Sequence, residues 1–282
     1  MQFDSDVIRS RQNKNIVELC KLTDRKARKN GRVFRFDGIK LLEEAIAKEL
    51  EVTSVFLRES DAEKIIGGLQ NRFHRLDFDK FGKILVVADE VFDRVSEEKS
   101  PEGVITIAKY IDKFQKNVTI YNSEDFFEMK NERVVLLESV RDPSNVGAVI
   151  RSAAAIGVDR LILSQDCADI YHPRAVRASM GTLFDQRIDL VDDLPRTIRA
   201  LVSSGRRVFA AALDERAERL GSFDVREGDC VVIGNEGHGL SEDVIAACSG
   251  CVMIPMSARA ESFNAAVAAS ILMWEFAKPP RE

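Results

Sequence analysis

What this 282-residue chain lacks narrows its class before any motif is considered. It has no long uncharged apolar run. The longest such run near the C-terminus, Ser262 to Trp274, is shorter than the roughly 18 to 20 residues a membrane-spanning helix needs, and it contains Ser and Asn. The opening segment, Met1 to Lys14, holds acidic residues and no apolar centre, so neither a secretory signal nor a transit peptide is expected, and the cytoplasm is the expected compartment. Cysteines are few, odd in number and scattered: Cys20, Cys167, Cys230, Cys248 and Cys251 suit buried thiols in a reducing compartment, not a disulfide framework. Cys248-Ser-Gly-Cys251 has a redox spacing, but it falls where a helical stretch ends and a strand begins, and a lowered thiol pKa needs a helix N-terminus. No second ligand pair is placed for zinc. A strong net charge is missing as well: the chain carries −5, with 45% apolar and 31% charged residues, the balance of a soluble globular protein large enough for two domains.

The charge that is present is unevenly placed. The first 116 residues hold 23 Lys and Arg against 21 Asp and Glu, and the remainder 18 against 25. Lys21, Arg25, Lys26, Arg28, Lys29, Arg32 and Arg35 share one stretch with a single acid, Asp24, and Phe34 and Phe36 follow. A solvated helix face is one reading of such a run; contact with nucleic-acid phosphates is the other. Around it, an amphipathic helix from Gly38 to Leu50, strands at Val52 to Leu57 and Ile84 to Ala88, and a helix from Asp61 to Leu69 predict a small α/β domain over residues 1–114. Residues 115–131 read as a linker with a short strand, Val118 to Tyr121, and a short helix, Glu124 to Met129.

From residue 132 to 282 the pattern sharpens. The run Val134 to Leu137 is apolar throughout, as expected of a parallel strand buried on both faces, and strands then alternate with helices, which predicts a mostly parallel sheet. Three strand ends carry unusual residues. After the first come Asn145, Gly147 and Arg151. Asn145 is placed to cap a helix starting at Val146, whereas a guanidinium on an otherwise apolar helix is expensive unless it is paired or faces a ligand. The second, Ile233-Gly234-Asn235-Glu236-Gly237-His238-Gly239-Leu240, has glycines that permit close backbone approach, but neither the order of a dinucleotide fingerprint nor the Lys of a P-loop. Glu236 there is suited to holding a loop or a partner's Arg, and His238 to facing water. The third runs from Ile254 through a polar loop to a helix from about Ser262, where Ser262 and Asn264 stand either as caps or at a ligand.

N-x-G-x-x-x-R (Asn145, Gly147, Arg151), then I-G-N-E-G-x-G-L (Ile233 to Leu240), then I-P-M with A-E-S-F-N-A-A-V-A-A (Ile254 to Ala269) together resemble, in this order, the three motifs of the SpoU/TrmH RNA ribose 2′-O-methyltransferases of the SPOUT class. The resemblance spans roughly residues 132 to 278. It implies an α/β C-terminal domain with a parallel sheet and a deep trefoil knot, preceded by a small α/β ribosomal-protein-like RNA-binding domain. The implied cofactor is S-adenosylmethionine, held near Gly234, Ile254 and Phe263 with Asn264 supporting the pocket; Phe263 stands where the family commonly has Leu. Arg151, Asn145, Glu236, Ser262 and Asn264 are the implied catalytic set. A homodimer with sites at the subunit interface is implied too, so that Arg151 and Glu236 act across chains. The family's proposal of Arg151 as the base sits badly with a group that stays protonated, so a clamp on a phosphate or on the developing alkoxide is the physical expectation. The substrate expected is RNA, ribosomal rather than transfer, with Arg25, Lys26, Arg28, Lys29 and Arg32 supplying phosphate affinity. The competing expectation is a non-catalytic RNA-binding or ribosome-associated protein on the same fold, without a membrane or metal partner in either case.

Overall fold

The structure is a computed structural model that describes residues 7–74, 76–111, 118–121, 132–214, 217–222, 224–257, 259 and 262–277. The expected helix Glu124 to Met129 lies outside the described residues. In chain order the first elements are α1 (Lys14–Lys21), α2 (Arg25–Gly31), β1 (Val33–Asp37), α3 (Ile39–Ala47), β2 (Val52–Arg58), α4 (Ala62–Arg72), β3 (Lys83–Val87), α5 (Asp89–Val95), β4 (Val104–Lys109) and β5 (Val118–Tyr121). They are followed by β6 (Val134–Leu137), α6 (Pro143–Ile156), β7 (Arg160–Ser164), α7 (Pro173–Ser179), β8 (Arg187–Val191), α8 (Leu194–Ser203) and β9 (Val208–Ala211). The chain finishes with β10 (Glu218–Arg219), β11 (Cys230–Ile233), α9 (Glu242–Ala247), β12 (Gly250–Met253) and α10 (Ala265–Phe276). Two compact units result, one of Met1–Lys116 with Tyr171–Phe184, the other of Asn117–Ile170 with Asp185–Glu282.

The first unit is built on a mixed sheet ordered β1-β4-β2-β3. Its β1 corrects the sequence reading. Phe34 and Phe36, whose place beside the basic run suggests exposed aromatics, are buried. Their rings lie 5.0 Å from Tyr171 and 5.4 Å from Phe184 respectively, and Tyr110 stacks on Tyr171 at 3.8 Å. Arg35 between them is buried as well, and donates to Asp37 Oδ1 at 2.8 Å, which balances its charge. The helix α7 stops at Ser179, because Met180 and Gly181 take φ of +51° and +87°. A Cβ on Gly181 would come within 2.8 Å of the Glu44 side chain, so that turn requires glycine.

The second unit carries an eight-stranded sheet ordered β10-β12-β9-β11-β6-β7-β8-β5, with every pairing parallel. The strand read as part of a linker, β5, is its edge strand beside β8. All four residues of β6 are buried, and burying each such side chain contributes about 1.5–3 kcal/mol. At the N-terminal ends of β6 and β7, Arg160 bonds Glu132 at 2.6 Å and buried Asp189 at 2.7 Å. The hydrogen bond from Arg160 lowers the Glu132 carboxyl below its ordinary range, while burial raises that of Asp189. The opposite ends of β6, β11 and β12 lead into the three loops marked in the sequence, and α10 returns to pack on α6 and β11.

Candidate active site

The loop after β6 folds into a helix start earlier than the sequence suggests. Asp142, not Asn145, is the N-cap of α6, accepting from Ser144 N at 2.6 Å and Asn145 N at 3.3 Å, with Pro143 in the first turn. This frees the Asn145 side chain, which donates to Glu236 Oε1 at 2.7 Å and accepts from Asn264 Nδ2 at 3.0 Å. One amide therefore joins all three loops, across 91 and 119 residues of sequence.

Asn264 is itself the N-cap of α10, its Oδ1 accepting from Ala266 N and Val267 N. The sequence reading put the helix start at Ser262 and Asn264 in its first turn; Ser262 is instead an exposed residue ahead of the cap. Glu261, in the same loop, lies outside the described residues. Six residues after the cap, Ser270 Oγ bonds Ser152 Oγ at 2.9 Å, which fixes α10 against α6.

The glycine loop is shaped before any ligand enters. Asn235 and Gly239 exchange both backbone hydrogen bonds at 3.0 Å, and Asn235 Oδ1 accepts from Gly237 N and His238 N. Its Nδ2 donates to Ser139 O at 2.7 Å, tying this loop to the one after β6. A Cβ on Gly234 would lie 2.4 Å from the Gly239 carbonyl carbon, so no other residue fits there. Glu138 accepts from Ser241 N at 2.8 Å and Ser241 Oγ at 2.6 Å, which secures the far end of the loop. Asn235 and Glu138 were not singled out from sequence. Asn235 is flagged only as a side chain able to close its own turn, and Glu138 only as a charge ending an apolar strand.

Between the glycine loop and α10 lies a cavity of about 590 Å³, within the range of small-molecule sites. Gly234, Ile254 and Phe263 line it, together with Ala211, Met256 and Leu272. Glu236 and Ser262 line it too. Asn145, Asn264 and Arg151 do not, although the first two bond to its rim. Arg151 is exposed and makes no hydrogen bond or ion pair with another described residue. The apolar walls suit a flat heterocycle, and the glycine backbone offers the close approach that a purine and its ribose need, so the residues present fit S-adenosylmethionine.

In the first unit the expected phosphate-binding set divides. Arg25, Lys26 and Lys29 are exposed on α2. Arg28 is not available: it is 1% exposed, and its Nη1 donates to Leu22 O and Thr23 O, both at 2.8 Å, so it holds the turn between α1 and α2. Arg32 is half-buried at the left-handed C-cap of α2, with its guanidinium 5.3 Å from the centre of the Tyr110 ring. Among the described residues no cluster of His, Cys, Asp or Glu could hold a metal, and no helix is long and apolar enough to cross a membrane.

The model of the SpoU rRNA Methylase family matches residues 132–274, and that of the MRM3-like substrate binding domain matches residues 13–106. The 23S rRNA (guanosine(2553)-2'-O)-methyltransferase RlmP of Bacillus subtilis is 26% identical over 268 residues, which is 95% of this chain and 97% of that one. A 23S rRNA (uridine(2479)-2'-O)-methyltransferase of Streptomyces viridochromogenes is 34% identical over 145 residues, half of each chain. The crystal structure of an AdoMet-bound rRNA methyltransferase from Sinorhizobium meliloti superposes with a TM-score of 0.77 at 25% identity, over 96% of this chain and 97% of that one.

Proposed function

We infer that this chain, which belongs to the SpoU rRNA methylase family, is an S-adenosylmethionine-dependent RNA ribose 2′-O-methyltransferase acting on ribosomal in preference to transfer RNA. The observation that carries the reading is the Asn145 amide, which holds the three motif loops together at the rim of a cavity suited to the cofactor.

When bound, S-adenosylmethionine supplies an electrophilic methyl group on a sulfonium. The chain's own residues then have to position a ribose hydroxyl in line with it and help remove a weakly acidic proton. Gly234, Ile254 and Phe263 hold the cofactor in this reading, and Asn264 sets the start of α10 at its edge. Asn145 orients Glu236 at the mouth. Arg151 acts as a fixed cation on the substrate phosphate or the developing alkoxide, because a guanidinium keeps its proton.

The placement of Arg151, outside the cavity and without a partner among the described residues, supports a homodimer in which each cavity is completed by the other chain's Arg151. The exposed apolar side chains of Phe263, Val267 and Trp274 at the start of α10 and along it, at 39%, 46% and 62% exposure, support the same assembly. A trefoil knot is supported by the course of the chain: β12 lies beyond β9 in the sheet, yet α10 packs back on β11 and α6. The first unit, with Arg25, Lys26 and Lys29 exposed, is the proposed RNA-binding part, and the cytoplasm is the proposed compartment.

Calorimetry with S-adenosylmethionine, paired with transfer of labelled methyl groups to an unmodified 23S rRNA transcript, tests this reading. Cofactor heat and ribose labelling support it. RNA binding without cofactor heat would instead establish the non-catalytic alternative.

A further inference from the structure

A second, smaller cleft opens on the other part of the glycine loop. Its volume is about 330 Å³, and it is lined by Glu138, Ser139 and Arg141 from the loop after β6 and by Asn235, His238, Gly239, Leu240 and Ser241. Asn235, His238, Gly239 and Leu240 also line the cofactor cavity, so the two spaces share one thin wall of backbone.

The charges around this cleft are unequally satisfied. Both oxygens of Glu138 are occupied by Ser241 N and Oγ. Asp166, behind Arg141, takes hydroxyl hydrogen bonds from Ser139 and from Ser164, the latter at 2.5 Å. Burial acts to raise its carboxyl, but these two bonds, a backbone hydrogen bond and the nearby Arg141 charge together outweigh it and hold the group below the ordinary range. Among the described residues Arg141 has one weak contact, Nη2 to Asp166 Oδ2 at 3.4 Å, and its side chain is 69% exposed. The exposed His238 uses its backbone N–H in the loop, and its imidazole has no partner among the described residues. The negative groups are thus engaged within the protein, while donors on Arg141 and His238 remain open toward the cleft.

We propose that this cleft binds a phosphodiester of the RNA strand next to the nucleotide being methylated, with Arg141 as its principal cation and His238 as a second donor. The inference rests on the function proposed above. It adds a phosphate contact within the catalytic unit, separate from the basic face of α2 and from Arg151. An arginine fork suits a phosphate's paired oxygens, and the rigid glycine wall keeps that phosphate at a fixed place relative to the cofactor cavity. The same chemistry would be satisfied by the carboxylate of the cofactor's methionine moiety, and the experiment separates the two.

Arg141→Ala and Arg141→Lys in the full chain are compared with the unaltered protein for binding of an unmodified 23S rRNA transcript across a salt series, and for S-adenosylmethionine affinity by calorimetry. Thermal melting checks folding; Arg141 is exposed and Asp142 still caps α6. The expected result for Arg141→Ala is RNA affinity about tenfold weaker, a salt slope lower by about 0.7–0.9, and unchanged cofactor affinity, with Lys restoring most of the slope. An unchanged RNA slope overturns the proposal, and so does a cofactor affinity that falls while the slope holds. Absence of RNA binding by the unaltered protein would count against the proposed function, whereas normal binding with an indifferent Arg141 removes this inference alone.

Discussion

Two helices of this molecule, one short and one long, each carry an arginine that stands out in sequence, and their fates are opposite. On α2, Arg28 sits in a run of cations and looks like one more solvated charge, yet it is buried and holds two main-chain carbonyls. On α6, Arg151 sits among Val, Ala and Ile and looks destined for burial, yet it is exposed and unpaired among the described residues. Local charge density therefore says little about where a long cation ends. A guanidinium with five donors goes wherever acceptors are unsatisfied, in a turn of its own chain or on a ligand.

The sharpest way to break this contrast is to remove each arginine in turn. Arg151→Ala is expected to lower kcat by about 10²- to 10³-fold, the loss typical of one transition-state charge contact, with cofactor affinity intact by calorimetry. Arg151→Lys should keep slight activity, and a fully active Arg151→Ala enzyme would sink the assigned role. Arg28→Ala should instead leave turnover per folded molecule unchanged and lower unfolding free energy by about 2–3 kcal/mol in a denaturant titration, because Leu22 O and Thr23 O lose their donor. A stability loss under about 0.5 kcal/mol would mean that the buried guanidinium contributes nothing to the turn. Replacing Arg25, Lys26 and Lys29 with Gln reverses that profile. Stability should move by less than about 0.5 kcal/mol, while the salt slope of RNA binding should fall by about two to three; an unmoved slope would clear α2 of phosphate contact. The smallest expected effect concerns thiols. Burial pushes Cys230 and Cys248 up to about 12 and Cys167 up to about 11, so alkylation of the native protein near pH 8 should modify exposed Cys20 first, as read by mass spectrometry. Early modification of Cys248, which is half-buried, would contradict its raised thiol.

The same contrast shows what could be read in advance. The strands of the second unit were legible because four-residue runs such as Val134 to Leu137 and Cys230 to Ile233 have no polar face to hide. The glycine loop was legible from spacing alone. The start of α6 was not: Asp142-Pro143 reads as a turn, and only the fold reveals that Asp142 takes the cap and leaves Asn145 free to link Glu236 and Asn264. The burial of Phe34 and Phe36 was hidden by Arg35 between them, since a salt bridge to a residue two positions on in the same strand leaves no trace in hydropathy. Which strand lies at the sheet edge was likewise invisible, because β5 pairs with a strand about 70 residues later and its own four residues carry no sign of that partner.

The aromatic group around Phe34 has a practical consequence for anyone dissecting the molecule. Tyr171 and Phe184 are supplied from the second half of the chain, between β7 and β8, yet they pack with Phe34, Phe36 and Tyr110. A fragment cut at residue 116 would strip these rings of their neighbours on both sides of the scissors: one piece would bare Phe34, and the other would present Tyr171 and Phe184 to water. Such halves are expected to clump or be digested, so experiments on the methyl-transferring portion are better served by whole-length variants than by truncation.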